Sequence, residues 1–155
     1  MKKKVVFISS VGGHLTQLLQ LKPLFQEYEY KVITEKNKIT LPLKDEYPMS
    51  FLVYGARNYP IRYIFKFGYN VIKSILIFLS FRPDFIVTTG AHTAVPLCYI
   101  AKFFGKKIIF IESFAKTNSS NLSGKLVYPI ADLFIVQWKS MIKIYPKSEY
   151  GGSIY

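Results

Sequence analysis

Val5-Val6-Phe7-Ile8-Ser9-Ser10-Val11-Gly12-Gly13-His14-Leu15 is the stretch whose reading decides the rest of the chain. Its first four residues are apolar and mostly β-branched, which predicts a strand buried on both faces. The paired glycines allow a sharp turn and a close backbone approach to a ligand, and an apolar helix opens near Leu15. A strand, a glycine turn and a helix start form a phosphate-binding geometry. The first helical N–H groups lack partners there, and the helix dipole favours an anion. The dinucleotide fingerprint G-x-G-x-x-G is incomplete, because its third glycine position is missing. The glycines alone fit a ligand loop and an ordinary tight βα turn equally well. His14, a titratable side chain at the helix mouth, favours the ligand loop.

Outward from that stretch, β-branched runs alternate with helical ones. Strands are predicted over residues 5–8, 30–34, 50–54, 85–88, 107–111 and 133–136. A helix is predicted over 15–25, with Leu15, Leu18, Leu19 and Phe25 on one side. The polar stretch 35–48 reads as a loop, and 55–60 breaks the chain. A long helix over 61–81 stops before Pro83. A further helix has Pro96 in its first turn and Gly105 at its end. Shorter helices are expected over 123–131 and 138–145. Repeated βα units with continuous apolar strands predict an α/β, Rossmann-like parallel sheet with helices on both faces, formed as one domain over residues 1–155.

Composition narrows the function. The chain has 21 Lys and Arg against 9 Asp and Glu, a net charge of +12, which points to nucleic acid, acidic lipid headgroups or a phosphorylated ligand as partner. Half of the residues are hydrophobic and 17% aromatic, which excludes disorder. The lone Cys98 excludes an internal disulfide and suits a reducing compartment. The apolar run after Met1-Lys2-Lys3-Lys4 is too short for a secretion signal.

Ligands of open α/β sheets sit beyond the carboxyl ends of the strands. The unusual polar residues fall there: Gly12-Gly13-His14 after the first strand, Gly90-Ala91-His92-Thr93 after the fourth, Glu112-Ser113 after the fifth. Both histidines of the chain belong to these loops, whereas Thr93 and Ser113 read equally well as caps or turn residues. Glu35, about 20 residues past the glycines, stands where NAD enzymes place a ribose-binding acid, but the broken fingerprint argues against that role. The sequence shows no Asp-x-Asp pair, zinc spacing, Walker lysine or Gly-x-Ser-x-Gly elbow.

In the 61–81 helix, Arg62, Lys66, Asn70 and Lys73 recur every three or four residues and line one face. Phe65, Tyr69 and their aliphatic neighbours supply apolar bulk. The cations interrupt the roughly 20 apolar residues that a spanning helix needs, so the segment is expected at the membrane interface. Arg57, Arg62, Lys66 and Lys73 would then face anionic headgroups, each contributing about 1 kcal/mol. Phe65 and Tyr69 would enter the lipid boundary. The plainer reading is that this helix covers the sheet. Membrane contact accounts for much of the positive charge, and no basic aromatic ribbon or helix-turn-helix pattern supports a nucleic-acid partner.

Three segments carry a resemblance: Ile109-Phe110-Ile111-Glu112-Ser113, Asn121-Leu122-Ser123-Gly124-Lys125-Leu126, and Ala131-Asp132-Leu133-Phe134-Ile135-Val136-Gln137-Trp138 with Tyr145-Pro146-Lys147-Ser148. They resemble the membrane-anchoring, acceptor-binding subunit of the two-component glycosyltransferases, and the likeness runs from the first strand to the C-terminus. The eukaryotic member helps add the second N-acetylglucosamine to dolichol-pyrophosphate-GlcNAc. Bacterial counterparts serve capsule and exopolysaccharide synthesis. More distantly, Gly12-Gly13-His14 and Gly90-Ala91-His92 are similar to two glycine-rich loops in the N-terminal half of the peptidoglycan lipid II-forming transferase. Glu112 is similar to part of that enzyme's His-Glu-Gln segment, with Ile111 where the histidine would stand.

The resemblance implies the N-terminal, acceptor-binding half of a GT-B fold and an inverting, metal-independent transfer without a cofactor. It implies a polyprenyl-pyrophosphate-linked saccharide as acceptor. A separate donor-binding glycosyltransferase subunit would hold most of the UDP-sugar, in a heterodimer or higher assembly. Gly12 and Gly13 would bind the acceptor pyrophosphate, and His14 would act as base or orient the acceptor hydroxyl. Gly90 and Thr93 would line the second loop, while His92 and Glu112 would position the acceptor sugar or face the partner. His14 and Glu112 are thus the catalytic candidates. The implied location is the cytoplasmic face of the plasma membrane, peripheral or monotopic. The eukaryotic subunit begins with a transmembrane helix that this sequence lacks, so anchoring is expected from 61–81 or from the partner. It also carries something closer to Gly-Pro-Gly where this chain has Gly90-Ala91-His92. Two other readings stand beside this one: a non-catalytic enhancer of the partner, and a free-standing nucleotide-binding Rossmann enzyme.

Overall fold

The computed structural model describes residues 2–55 and 60–154, with the side chains of 60–62 excepted. Strands β1 (Lys4–Ile8), β2 (Glu29–Lys36), β3 (Met49–Val53), β4 (Phe85–Thr88), β5 (Lys107–Ile111), β6 (Leu133–Val136) and β7 (Glu149–Tyr150) pair in parallel throughout. The order across the sheet is β3-β2-β1-β4-β5-β6-β7. Connections therefore run outward in opposite directions from β1 and β4, which opens a crevice beyond the carboxyl ends of that pair. The glycine loop after β1 and the loop after β4 meet at that point.

Alternation along each strand divides the core in two. Val6, Ile8, Ile33, Ile86, Ile108 and Phe110 pack against α3 (Pro60–Phe81), α4 (Val95–Phe103) and α5 (Leu122–Val127). Val5, Phe7, Val32, Val87 and Ile111 point to the other face, toward α1 (Gly13–Leu19) and α2 (Lys22–Phe25). That second face is covered less completely than the sequence pattern implies. Helices of seven and four residues shield its β1–β2 end, and an apolar cleft of about 560 Å³ remains along β4, β5 and β6. Val87, Ile109, Ile111, Leu133 and Ile135 line it, with Gly151 and Ile154 at its border.

Several elements differ from expectation for local reasons. The helix expected over 15–25 is two helices, because Pro23 has no N–H to continue the ladder. The helix expected over 123–131 ends at Val127, two residues before Pro129. Residues Lys139–Lys143 form a 3₁₀ turn rather than an α-helix, and Leu41–Asp45 and His92–Ala94, within segments read as loops, are 3₁₀ turns as well. Strand β2 extends to Lys36, which places Glu35 in the sheet rather than in a loop. Strand β7 has two exposed residues and no apolar signature.

Helix α3 is inverted relative to an ordinary covering helix. Its inward face carries Asn70 and Ser74 with Ile77 and Phe78. Asn70 Nδ2 donates to the Val53 carbonyl and Asn70 Oδ1 accepts from the Val53 N–H, both at 2.8 Å, so the side chain occupies the free edge of β3. The outward face carries Ile64 (67% exposed), Phe65 (75%), Ile72 (60%), Ile75, Leu76 and Leu79. The row expected to present cations to headgroups is thus centred on the sheet contact at Asn70. Lys66 donates to the Tyr54 carbonyl, and Lys73 lies over the Tyr69 ring, on either side of that contact. By length and composition Tyr63–Phe81 is apolar enough to cross a membrane, despite its cations, yet the fold fastens it to β3 and α4.

Candidate functional site

Strand β1 ends beside the first glycine turn. Gly12 has φ +82°, a region that side chains with a Cβ avoid. Open space surrounds the position a Cβ would take at both Gly12 and Gly13. Gly90, after β4, has φ +95°, and a Cβ there would stand 3.5 Å from the His14 ring and from Phe110. The two glycine loops are therefore in contact. The Ser10 N–H donates to the Gly90 carbonyl (3.3 Å), and Thr89 Oγ1 donates to the His14 carbonyl (2.7 Å).

His14 Nδ1 lies 2.7 Å from the Thr89 carbonyl oxygen. A carbonyl oxygen only accepts, so Nδ1 carries the proton, and the neutral ring keeps its lone pair on Nε2. His14 lines a cavity of about 280 Å³ shared with Ala91, Ser113, Lys116, Asn121 and Ser123. The cavity sits where the ends of β1, β4 and β5 meet the start of α5. It offers a fixed-tautomer imidazole, hydroxyls, an amide and an ammonium group. Lys116 is absent from the sequence-based candidates, because a single lysine in a polar loop has no distinguishing spacing.

Glu112 is placed differently. It is 1% exposed, and its carboxylate is engaged within the protein. Oε1 accepts from the Ser113 N–H (2.8 Å) and from Asn121 Nδ2 (2.6 Å), and Oε2 accepts from the Tyr145 hydroxyl (3.2 Å). Gln137 Nε2 donates to the Glu112 carbonyl at 2.9 Å, and Asn121 Oδ1 caps α5 through the Gly124 N–H at 2.6 Å. Glu112, Ser113, Asn121, Gly124, Gln137 and Tyr145, from four separate segments, thus gather into one knot around the buried carboxylate. Burial pushes the Glu112 carboxyl above its ordinary range, against the opposing pull of the Ser113 N–H, Tyr145, Asn121 and Lys116.

Folded Glu112 therefore holds its proton more tightly than unfolded Glu112 does. Its contribution to stability is fully present below the unfolded value and is lost as pH rises through the elevated folded value. Unfolding free energies measured from pH 4.5 upward should fall for the wild type relative to Glu112→Gln. Parallel pH curves for the two proteins would show that the carboxyl is not perturbed. Gly124 is required by the same knot. A Cβ there would lie 2.5 Å from the Tyr145 hydroxyl and 2.6 Å from Glu112 Oε2. Gly124→Ala is expected to cost about 1–3 kcal/mol by overpacking, read from urea unfolding.

Glu35 is the residue that sequence reasoning set aside. It is 1% exposed at the end of β2. Oε2 accepts from the Val11 N–H (3.1 Å) and Oε1 from Thr93 Oγ1 (2.6 Å), with His92 Nε2 at 3.7 Å. Ser10 Oγ donates to Thr93 Oγ1 (3.1 Å). The Thr93 hydroxyl is consequently buried inside this network, and His92 turns toward Glu35 and the Tyr63 ring of α3. The available signal was a carboxylate at the carboxyl end of an apolar strand, next in the sheet to the glycine-loop strand.

Phe65 and Tyr69 are exposed on α3, while Arg57 and the side chain of Arg62 lie outside the described residues. Among the described residues no group of three His, Cys, Asp or Glu side chains is placed to hold a metal ion. Burial pushes the Cys98 thiol up to about 12, leaving it protonated.

The family described as "Oligosaccharide biosynthesis protein Alg14 like" matches residues 56–154. The UDP-N-acetylglucosamine transferase subunit ALG14 of Mus musculus is 30% identical, over 97% of this chain and 82% of that protein. Its Homo sapiens counterpart is 38% identical, again over 97% of this chain and 82% of that one. Among solved structures, MurG of Acinetobacter baumannii matches with a TM-score of 0.73 at 17% identity, over 89% of this chain and 42% of its own length. A UDP-N-acetylglucosamine 2-epimerase of Rickettsia bellii gives 0.75 at 15%, over 99% and 46%. The chain spans less than half the length of these two structures. At such identities the likeness concerns the fold alone, and the fold is one Rossmann-like half of the GT-B architecture.

Proposed function

The chain belongs to the Alg14-like oligosaccharide-biosynthesis family, and from that premise we propose that it is the acceptor-binding, membrane-docking subunit of a two-component UDP-sugar glycosyltransferase. The observation that carries this reading is His14. Its Nδ1 proton is committed to the Thr89 carbonyl, and its ring lines the cavity at the switch point of the sheet. In the proposed transfer, the acceptor hydroxyl oxygen attacks the anomeric carbon of the UDP-sugar as the bond to UDP breaks. The hydroxyl proton passes to His14 Nε2, and the single displacement inverts the anomeric centre. Lys116 and the unobstructed backbone of Gly12 and Gly13 suit the acceptor pyrophosphate, with Gly90 packed beside the His14 ring. Glu112, His92 and Thr93 then act by holding the loops rather than by touching the reacting atoms.

The donor belongs to a second chain in this reading. The relatives are named as subunits, and the chain is one half of a two-domain architecture. The apolar cleft across β4, β5 and β6 suits a segment of that partner. In this reading the subunit docks through α3 and sits peripherally on the cytoplasmic face of the plasma membrane. The acceptor is a polyprenyl-pyrophosphate-linked saccharide of the kind used for capsular or exopolysaccharide synthesis.

Radiolabelled transfer from UDP-sugars onto the host's lipid-linked acceptors tests this directly, with this chain, with a partner encoded beside it, and with both. Transfer that needs both chains is the expected result. Transfer by the partner alone, raised by this chain, would reduce it to an enhancer. Transfer by this chain alone would overturn the placement of the donor.

A further inference from the structure

We propose that Glu35 is a positioning residue for sugar transfer, clamping the two glycine loops at the separation that aims His14 into the cavity. The inference rests on the reading of His14 given above. Glu35 is one of the most deeply buried carboxylates of the fold, and among the described residues its only neighbour at ion-pair distance is His92. Burying a carboxylate is costly unless its oxygens are satisfied, and apolar packing would serve stability at least as well. Both oxygens here are used, and they hold different loops. Oε2 takes the Val11 N–H, the last backbone donor before Gly12-Gly13-His14. Oε1 takes the hydroxyl of Thr93, in the 3₁₀ turn that follows Gly90-Ala91.

The register explains the reach. Ile8 pairs with Ile33, so Glu35 lies beside Ser10, just beyond the end of β1, and on the same face as Ile33. Ser10 then donates to Thr93, which closes a ring of contacts through β1, β2 and the loop after β4. His14 is bound to the other side of that loop through Thr89. Any drift between the loops would move Nε2 relative to a bound acceptor. Reacting groups displaced by about 1 Å can lose on the order of 100-fold in rate.

The test compares Glu35→Leu, Glu35→Gln and Thr93→Val with wild type in the assembled two-chain enzyme, after melting curves and co-purification confirm folding. Glu35→Leu is expected to lower kcat on the order of 100-fold and to raise KM for the lipid-linked acceptor. KM for the UDP-sugar should stay unchanged, because the donor lies on the partner. Glu35→Gln should recover most of the loss. Its amide oxygen accepts from the Val11 N–H, and the Thr93 hydroxyl reverses to accept from the amide nitrogen. Thr93→Val should fall between them. Wild-type turnover in Glu35→Leu, or a folded Glu35→Gln as slow as Glu35→Leu, would overturn the proposal. If Glu35→Leu does not fold, Thr93→Val decides, and normal kcat in that variant overturns it. An inactive wild-type complex would instead sink the functional reading itself.

Discussion

His14→Ala is expected to abolish measurable sugar transfer while the chain still folds and assembles with its partner. General bases contribute about 10²–10⁴-fold to rate, and no second base among the cavity-lining groups could replace the imidazole. Lys116 is a cation, and Glu112 is occupied by Ser113, Asn121 and Tyr145. The structural cost of the substitution is small by comparison. It removes one hydrogen bond, from Nδ1 to the Thr89 carbonyl, at a partly exposed position, or about 1 kcal/mol. His14→Asn separates the two effects, because its amide can donate to Thr89 but carries no basic nitrogen. Equal loss in both variants, with normal co-purification, would identify the missing group as the base. Transfer within a few-fold of wild type in His14→Ala would move the base to the partner chain.

The second large effect concerns the membrane. Phe65→Asp combined with Ile72→Asp is expected to release the chain from sedimenting vesicles that contain anionic lipid. Both side chains stand on the outward face of α3, so the folded state loses no core contact. Burying each in the lipid boundary contributes about 2 kcal/mol, and losing both corresponds to roughly a thousandfold in partitioning. The same variant should still transfer sugar onto a short-chain, water-soluble acceptor analogue at the wild-type rate. Raising salt should weaken the wild type only partly, since salt screens surface charge while the apolar face of α3 is unaffected. Unchanged sedimentation of the double variant would mean that another surface docks on the membrane and that α3 faces a protein partner.

Much of the architecture was legible because it is written in local periodicity. The runs at 85–88, 107–111 and 133–136 coincide with β4, β5 and β6 residue for residue. They are short, continuous and apolar, as central strands of a parallel sheet must be. The polar residues of the candidate site fell at strand ends for the same reason, since the apolar pattern has to stop where the sheet stops. The glycine turn, the two histidine loops and the family's characteristic segments therefore follow from the amino-acid sequence by itself.

Tertiary structure alone decided what those residues face. The tautomer of His14 depends on Thr89, 75 positions away, and the use of Glu35 depends on Thr93, 58 positions away. Glu112 reads as a ligand-facing residue from its place after β5, and the resemblance makes it a catalytic candidate, yet its carboxylate is bonded to Asn121 and Tyr145. Asn70 reads as part of a polar stripe, yet the open edge of β3 captures it and turns the apolar stripe of α3 outward. In a parallel sheet a shift of one residue in register sends every side chain to the opposite face. Register is fixed by contacts between distant strands, and no pattern within any one segment encodes it.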